Sequence, residues 1–438
     1  MTTPEIKNPP STFFEKLNFL GPGFILSASI VGSGELIATT VLGAEGGFVT
    51  FWVILVSCLI KVAIQLEFGK NAIVTGKPLM SSFSSLPGPK NWAVWSTFLL
   101  TLFKIVQVGG MIGGAAIALS MLLPQLSPIL LAFLLGAITS LLIYKNYYSV
   151  VERTSMVMVL GFTVFTLASV IAVSHSPFAF TLSDVASGLT FELPSNLIFV
   201  AIGAFGITGV ASDEIIAYTY WCLEKGYAKY AGENDGSDEW KVRANGWIKI
   251  MYLDALVAMV IYTVVTAAFY LLGASILYGN EAIPSGNQLI ETLANIYTQT
   301  LGENARLAYT AGAFFVLSSS VFATLAYWTR LFPDIFGELG WIKWEDLKTR
   351  NKWVAVLAWS LPILWALAFA FVNLPSFMVL FGGVVGSVLL IVVVYAAVCF
   401  RFRNNTLNLA SGAFSTMLFW LSVLSIGMVS VYGIVKLF

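Results

Sequence analysis

Eleven long apolar runs, separated by short polar or charged stretches, divide this chain. They fall near residues 19–44, 47–70, 92–123, 127–145, 155–174, 194–222, 246–278, 305–331, 353–371, 375–400 and 411–435. A helix needs roughly 20 mainly apolar residues to cross a bilayer, so each run predicts a membrane-spanning helix. Runs 1, 3, 6, 7 and 8 are over-long, which leaves room for tilt or for a break. The pattern predicts an all-α integral membrane protein. A polar N-terminal segment, residues 1–18, precedes one transmembrane domain over residues 19–438. That segment lacks the apolar core of a signal peptide, so the first run is expected to be a retained span.

Inside this pattern one phrase occurs twice. Val31-Gly32-Ser33-Gly34-Glu35-Leu36-Ile37-Ala38-Thr39-Thr40 returns as Val210-Ala211-Ser212-Asp213-Glu214-Ile215-Ile216-Ala217-Tyr218-Thr219. The copies lie in spans 1 and 6. An offset of five spans reverses direction across the membrane, so spans 1–5 (about 19–174) and 6–10 (about 194–400) read as inverted repeats. Span 11 (about 411–435) is then an addition. A polar, helix-weakening phrase at matching points of two halves marks the binding site of a transporter. Polar groups inside hydrocarbon are costly enough to imply function. The helices are expected to be broken around Gly32–Gly34 and Val210–Asp213. Ser33 and Ser212 would cap the restarting halves, and Glu35 and Glu214 would sit in their first turns, near the positive dipole end. If Ser-x-Glu does more than cap, the site comprises Gly32, Ser33, Gly34, Glu35, Val210, Ala211, Ser212, Asp213 and Glu214.

Composition agrees with a membrane protein and narrows the chemistry. The chain is 58% hydrophobic and 11% charged, with a mean hydropathy of +0.85 and a net charge of zero. Nucleic-acid binding has no support. Cys58, Cys222 and Cys399 read as free thiols with no metal spacing. With the N-terminus inside, cytoplasmic segments carry sixteen Lys and Arg, among them Lys7, Lys77, Lys225, Arg350 and Arg403, and the other side only Arg306 and Lys436. This asymmetry places the chain in the cell membrane with the N-terminus inside and the C-terminus outside. The charged loop 224–245 is expected to be the most mobile segment. Lys61, Lys104, Lys249, Asp254 and Arg330 lie at membrane depth. Lys249 and Arg330 are close enough to span ends to snorkel. Lys61, Lys104 and Asp254 are candidates for a pathway or for buried pairs, and Ser318, Ser319 and Thr324 are candidate ligands for a coupling ion. His175, the only histidine, falls in an external loop and cannot relay protons. No nucleophile–base pair or phosphate loop appears, so no enzyme activity and no cofactor are expected.

Several of these residues resemble the Nramp family of divalent-metal transporters. Gly21-Pro22-Gly23-Phe24 opens span 1, Ile73-Val74-Thr75-Gly76-Lys77 closes span 2 with Gln65 upstream, Asp254 lies in span 7 and Ser318-Ser319 in span 8. The resemblance implies a LeuT-like fold with spans 1 and 6 broken at mid-membrane. The site departs from the family. The position of its metal-binding Asp is Gly32 and that of its Asn is Glu35. Its Met-Pro-His slot falls in Val210–Asp213 without those residues. The family's span 3 acids are replaced by Gly109-Gly110-Met111-Ile112-Gly113-Gly114.

Two substrates follow. A small oxyanion such as bicarbonate is the first expectation, because glycines, serines and helix N-termini suit it and Lys61 or Lys104 could balance charge. Sodium is then a candidate coupling ion at the span 8 hydroxyls. The alternative is a divalent cation, magnesium or manganese, held by the oxygens of Glu35, Asp213 and Glu214. A channel or a non-transporting sensor is a third class. Transport by alternating access, as a monomer in the lipid bilayer, is the expected mode.

Overall fold

A computed structural model describes residues 6–32, 34–145, 148–279, 291, 303–343, 346–407, 409 and 412–437. Among these, eight helices are long and apolar enough to cross a membrane. The pair Pro22–Ile30 and Gly34–Gly46 makes one further span, its halves meeting at 41°. Two shorter apolar helices, Pro128–Ile143 and Ala413–Val429, account for the remaining runs. Span 1 is the bent pair. Spans 2 to 5 are Phe51–Thr75, Trp92–Leu122, Pro128–Ile143 and Tyr148–Ser174. Span 6 covers Ser195–Lys225, span 7 Asp238–Ile276 and span 8 Glu303–Glu338. Spans 9 to 11 are Leu347–Val372, Pro375–Thr406 and Ala413–Leu437.

The breaks follow from backbone chemistry. Span 1 leaves the helix at Val31, whose ψ is 83°, and resumes at Gly34 with a π-helical stretch, Gly34–Thr39. Wide turns of this kind recur at functional sites. Span 6 stops at Thr208 (ψ 151°) and restarts at Ser212. Between them Gly209 takes φ +59°, a left-handed value that glycine adopts without strain. The second break is therefore Thr208–Ala211, two residues earlier than the phrase suggests, because Gly209 sets it.

The Gly109–Gly114 stretch is helical and lets spans 9 and 10 approach span 3. A methyl group on Gly109 would meet the Trp365 carbonyl, and one on Gly110 the Pro375 carbonyl. Small residues serve helix packing in membranes this way.

Loop 224–245 is not the loose insertion its charge suggests. It folds into a short helix, Tyr227–Ala231, and span 7 already begins at Asp238, capped by Ser237. Tyr227, Trp240 and Trp247 are fully buried. Trp247 Nε1 donates to Lys7 O (2.9 Å), Lys7 N to Tyr230 O (3.0 Å) and Tyr227 OH to Phe19 O (2.7 Å). The N-terminal segment is thus strapped across the connection between spans 6 and 7. At this end the last turn of span 6 is tied down by Arg330, which bonds Glu224 through Nε (2.6 Å) and Nη2 (2.9 Å), and by Lys225 to Glu152 (2.7 Å). Arg330 is a buried, paired residue, not a snorkelling one, whereas Lys249 is exposed. Elsewhere Arg401 and Glu67 form a buried pair at 2.5 Å.

Candidate functional site

A broken helix exposes the last carbonyls of its first half. In span 1 neutral hydroxyls from span 8 take them. Ser320 Oγ donates to Ser29 O (2.9 Å), and Ser319 Oγ contacts Val31 O (3.4 Å) while bonding Val316 O within its own helix (2.7 Å). The approach is so close that a Cβ on Gly32 would overlap Ser320 Oγ. In span 6 the same task falls to span 2. Lys61 Nζ donates to Phe205 O (2.7 Å) and Thr208 O (2.5 Å), and Ser57 Oγ reaches the same two oxygens at 3.1 and 3.0 Å.

The repeated acids face the span 1 break. Glu35 is fully buried. Its Oε2 accepts from Gly32 N (3.2 Å) and its Oε1 from Thr266 Oγ1 of span 7 (3.1 Å). Reaching back three residues to the start of its own helix is one half of a capping box, so part of the role of Glu35 is local. Glu214, half-buried in the first turn of the second half of span 6, accepts from Ser29 Oγ (2.9 Å). The two carboxylates, one from each copy of the phrase, thus both bond the Ser29–Gly32 turn. Among the described residues neither has a cationic partner within 4 Å, whereas Asp213 pairs with Lys104 at 2.5 Å.

Several expected roles change. Ser212 is the first helical residue and not a cap. Ala211 holds the cap position without a side-chain bond, and Ser212 Oγ is buried without a partner. Val210 and Ala211 form the buried extended turn, and Gly34 opens the π-helical stretch. Ser33 lies outside the described residues. Asp254 is buried and holds the start of span 1. Its Oδ1 accepts from Gly21 N (2.8 Å) and its Oδ2 from Gly23 N (2.6 Å) and Tyr218 OH (2.9 Å), so it caps the start of span 1 from another helix. The Gly-Pro-Gly opening suits this, since proline has no N–H to satisfy. Ser318 lies on the wall of an apolar cavity of about 150 Å³ with Ile112 and Phe322, apart from the acids. Thr324 is buried one turn beyond Ser320. The sequence reading missed Ser29, Ser57 and Thr266. Each is a hydroxyl inside an apolar run, and Ser29 lies just before the first break.

Charge decides what this arrangement can hold. Lys104 is neutralised by Asp213, and Lys61 is spent on backbone carbonyls. Glu35 and Glu214 remain. Two like charges in a low dielectric repel strongly, so a cation or a proton is what they lack. Neither lysine is left over for an oxyanion. Among the described residues no three His, Cys, Asp or Glu side chains gather at metal-binding distance, so a metal held here would also need carbonyls or water.

Comparison with known proteins agrees with this architecture. A family model described as natural resistance-associated macrophage protein-like (Nramp) matches residues 23–436. A protein of Caldanaerobacter subterraneus named divalent metal cation transporter MntH is 26% identical over 295 residues, 64% of this chain and 65% of that protein. A protein of the same name from Listeria monocytogenes is 26% identical over 325 residues, 72% of this chain and 66% of the relative. The match therefore spans just under two thirds of these relatives' lengths. Among solved structures, the Eremococcus coleocola manganese transporter superposes with a TM-score of 0.58 at 14% identity, covering 99% of this chain and 98% of that one. MhsT in complex with L-phenylalanine gives 0.61 at 14%, covering 99% and 100%. At that identity the likeness is one of fold. The family model, which takes in all eleven spans and the two breaks, places this chain in the Nramp family.

Proposed function

We propose that this protein carries a divalent metal cation across the membrane by alternating access, with Glu35 and Glu214 as its oxygen ligands at the span 1 break. One observation carries the reading. The paired acids face one turn and, among the described residues, have no cationic partner within 4 Å, while the nearby lysines bond other groups. Carboxylate oxygens without a thioether or imidazole suit a hard ion that keeps part of its water, magnesium or manganese. The names of the relatives support the same class. The expectation of bicarbonate loses its support with the free lysines, and sodium coupling has no feature of its own in its favour. We read the protein as a monomer in the cell membrane, N-terminus inside, working as a carrier and not as an enzyme.

Uptake of radiolabelled manganese, magnesium and bicarbonate into proteoliposomes of the pure protein tests this. Divalent uptake lost in Glu35→Gln and Glu214→Gln is the expected result. Bicarbonate uptake that survives both substitutions, with no divalent uptake, would reverse the assignment.

A further inference from the structure

We infer that Lys61 is a tethered cation. Its ammonium fills a cation seat at the C-terminal end of the first half of span 6, so that no mobile ion is needed there.

The seat has a physical origin. The last carbonyls of a helix lack intrahelical partners and carry the negative end of its dipole. Where a membrane helix breaks, such ends coordinate cations. The half-helix here, Ile198–Ile207, ends at Thr208, and it presents the oxygens of Phe205 and Thr208 to span 2. The Lys61 ammonium lies 2.7 and 2.5 Å from them. The Phe205 ring centroid is 5.0 Å from Nζ, within range of a cation–π contact. The lysine is 0% exposed.

What surrounds Lys61 differs from most of the other buried cations. Lys104, Arg330 and Arg401 each bond a carboxylate, and buried Lys70, further along the same span, bonds the single carbonyl of Leu409. Among the described residues Lys61 has no carboxylate within 4 Å; carbonyl dipoles and a ring hold it directly, and Glu35 and Glu214 act on it only from farther off. A surface lysine that happened to be enclosed would be expected to pair with an acid or to be neutral. This one is placed as an ion is placed, on two uncharged carbonyl oxygens. The two breaks differ accordingly. The Ser29 and Val31 carbonyls of span 1 receive neutral hydroxyls from span 8, and only the span 6 end receives a positive charge. Because that charge is covalently attached, it stays through the whole cycle. It also confines the mobile cation to the acids and leaves sodium or potassium no seat at span 6.

The inference rests on the geometry of span 6 and holds whichever ion the acids carry. Its test therefore pairs thermal stability with uptake. Wild-type protein is expected to unfold at the same temperature in sodium, potassium or choline chloride. Lys61→Ala should melt lower and, if the divalent reading is right, take up substrate on the order of tenfold more slowly. Titrating sodium or methylammonium should raise its melting temperature saturably and restore part of the uptake. Choline, too large for the seat, should do neither. Lys61→Met, which fills the space without charge, should not respond to added cations. Saturable stabilisation of the wild type by sodium would overturn the proposal. So would Lys61→Ala protein as stable as the wild type and indifferent to small cations. If Lys61→Ala cannot be purified, the wild-type salt series and Lys61→Met still decide, since sodium dependence in either contradicts a filled seat. Absence of divalent uptake in the wild type would refute the substrate assignment alone and leave the melting curves to judge Lys61.

Discussion

Spans 1 and 6 carry the same phrase and break near the same point, yet the two breaks are finished with different chemistry. At span 1 the freed carbonyls meet serines, and the acid of the restarting half turns back to its own Gly32 N–H. At span 6 they meet a lysine, and the acids of the restarting half reach outwards, Asp213 to Lys104 and Glu214 to Ser29. A duplicated backbone device therefore does not imply a duplicated electrostatic one. The backbone requirement, partners for stranded carbonyls, is met equally well by a hydroxyl or an ammonium. The choice is free to set where positive charge resides, and here it leaves negative charge unbalanced at one turn.

This contrast can be tested in order of expected effect. Removing the acid charges should matter most. As proposed ligands of the carried ion the acids supply its counter-charge, so Glu35→Gln and Glu214→Gln should each cut divalent uptake by on the order of a hundredfold or more. The loss should be greater for Glu35, the wholly buried one. Equal retention of uptake in both would show that the acids are structural caps.

Next comes the start of span 1, which a carboxylate holds and which has no counterpart in span 6. Asp254→Ala removes the acceptor for Gly21 and Gly23. Hydrogen bonds to charged groups contribute about 1.5–3 kcal/mol, and the melting temperature in detergent should fall accordingly. An unchanged melting temperature would remove the capping role.

The close contact between spans 1 and 8 should be nearly as sensitive. Gly32→Ala collides with Ser320, and overpacking typically costs about 1–3 kcal/mol. Adding Ser320→Gly should recover most of it. At span 6 the mirror-image change, Ala211→Gly, should cost nothing, because glycine is the better residue at the N-cap that Ala211 holds. The smallest effects separate the serines. Ser320→Ala should cost about 1 kcal/mol, while Ser212→Ala should leave stability unchanged because its hydroxyl bonds nothing. A measurable loss at Ser212 would restore it as a cap.

Much of this architecture was legible in the chain. Apolar run length marks spans whatever their neighbours, and the repeated phrase located both breaks because polar residues in hydrocarbon are rare. The exact register of the second break was not legible. Aligning the copies by their shared Ser and Glu hid Gly209, the residue whose φ sets the turn. The loop 224–245 was misjudged because charge reports solvation and says little about packing, although Tyr227, Trp240 and Trp247 were visible anchors. The partners of Lys61 and Lys104 could not be read at all. One lysine bonds backbone carbonyls, which have no sequence signature, and the other an aspartate 109 residues away. The same gap explains why two unassigned lysines seemed to favour an anion.

The cap on span 1 also has a bearing on how the protein is made. Gly23 and the Asp254 that accepts from it are 231 residues apart. At translation rates of roughly 5–20 residues per second, the first span leaves the ribosome about 10–50 s before its cap exists. During that interval two backbone N–H groups at the mouth of the first helix need another acceptor, and lipid tails provide none. The nascent hairpin of spans 1 and 2 must therefore keep that end at the headgroup level or in the insertion machinery. It can settle to its final depth only when span 7 arrives.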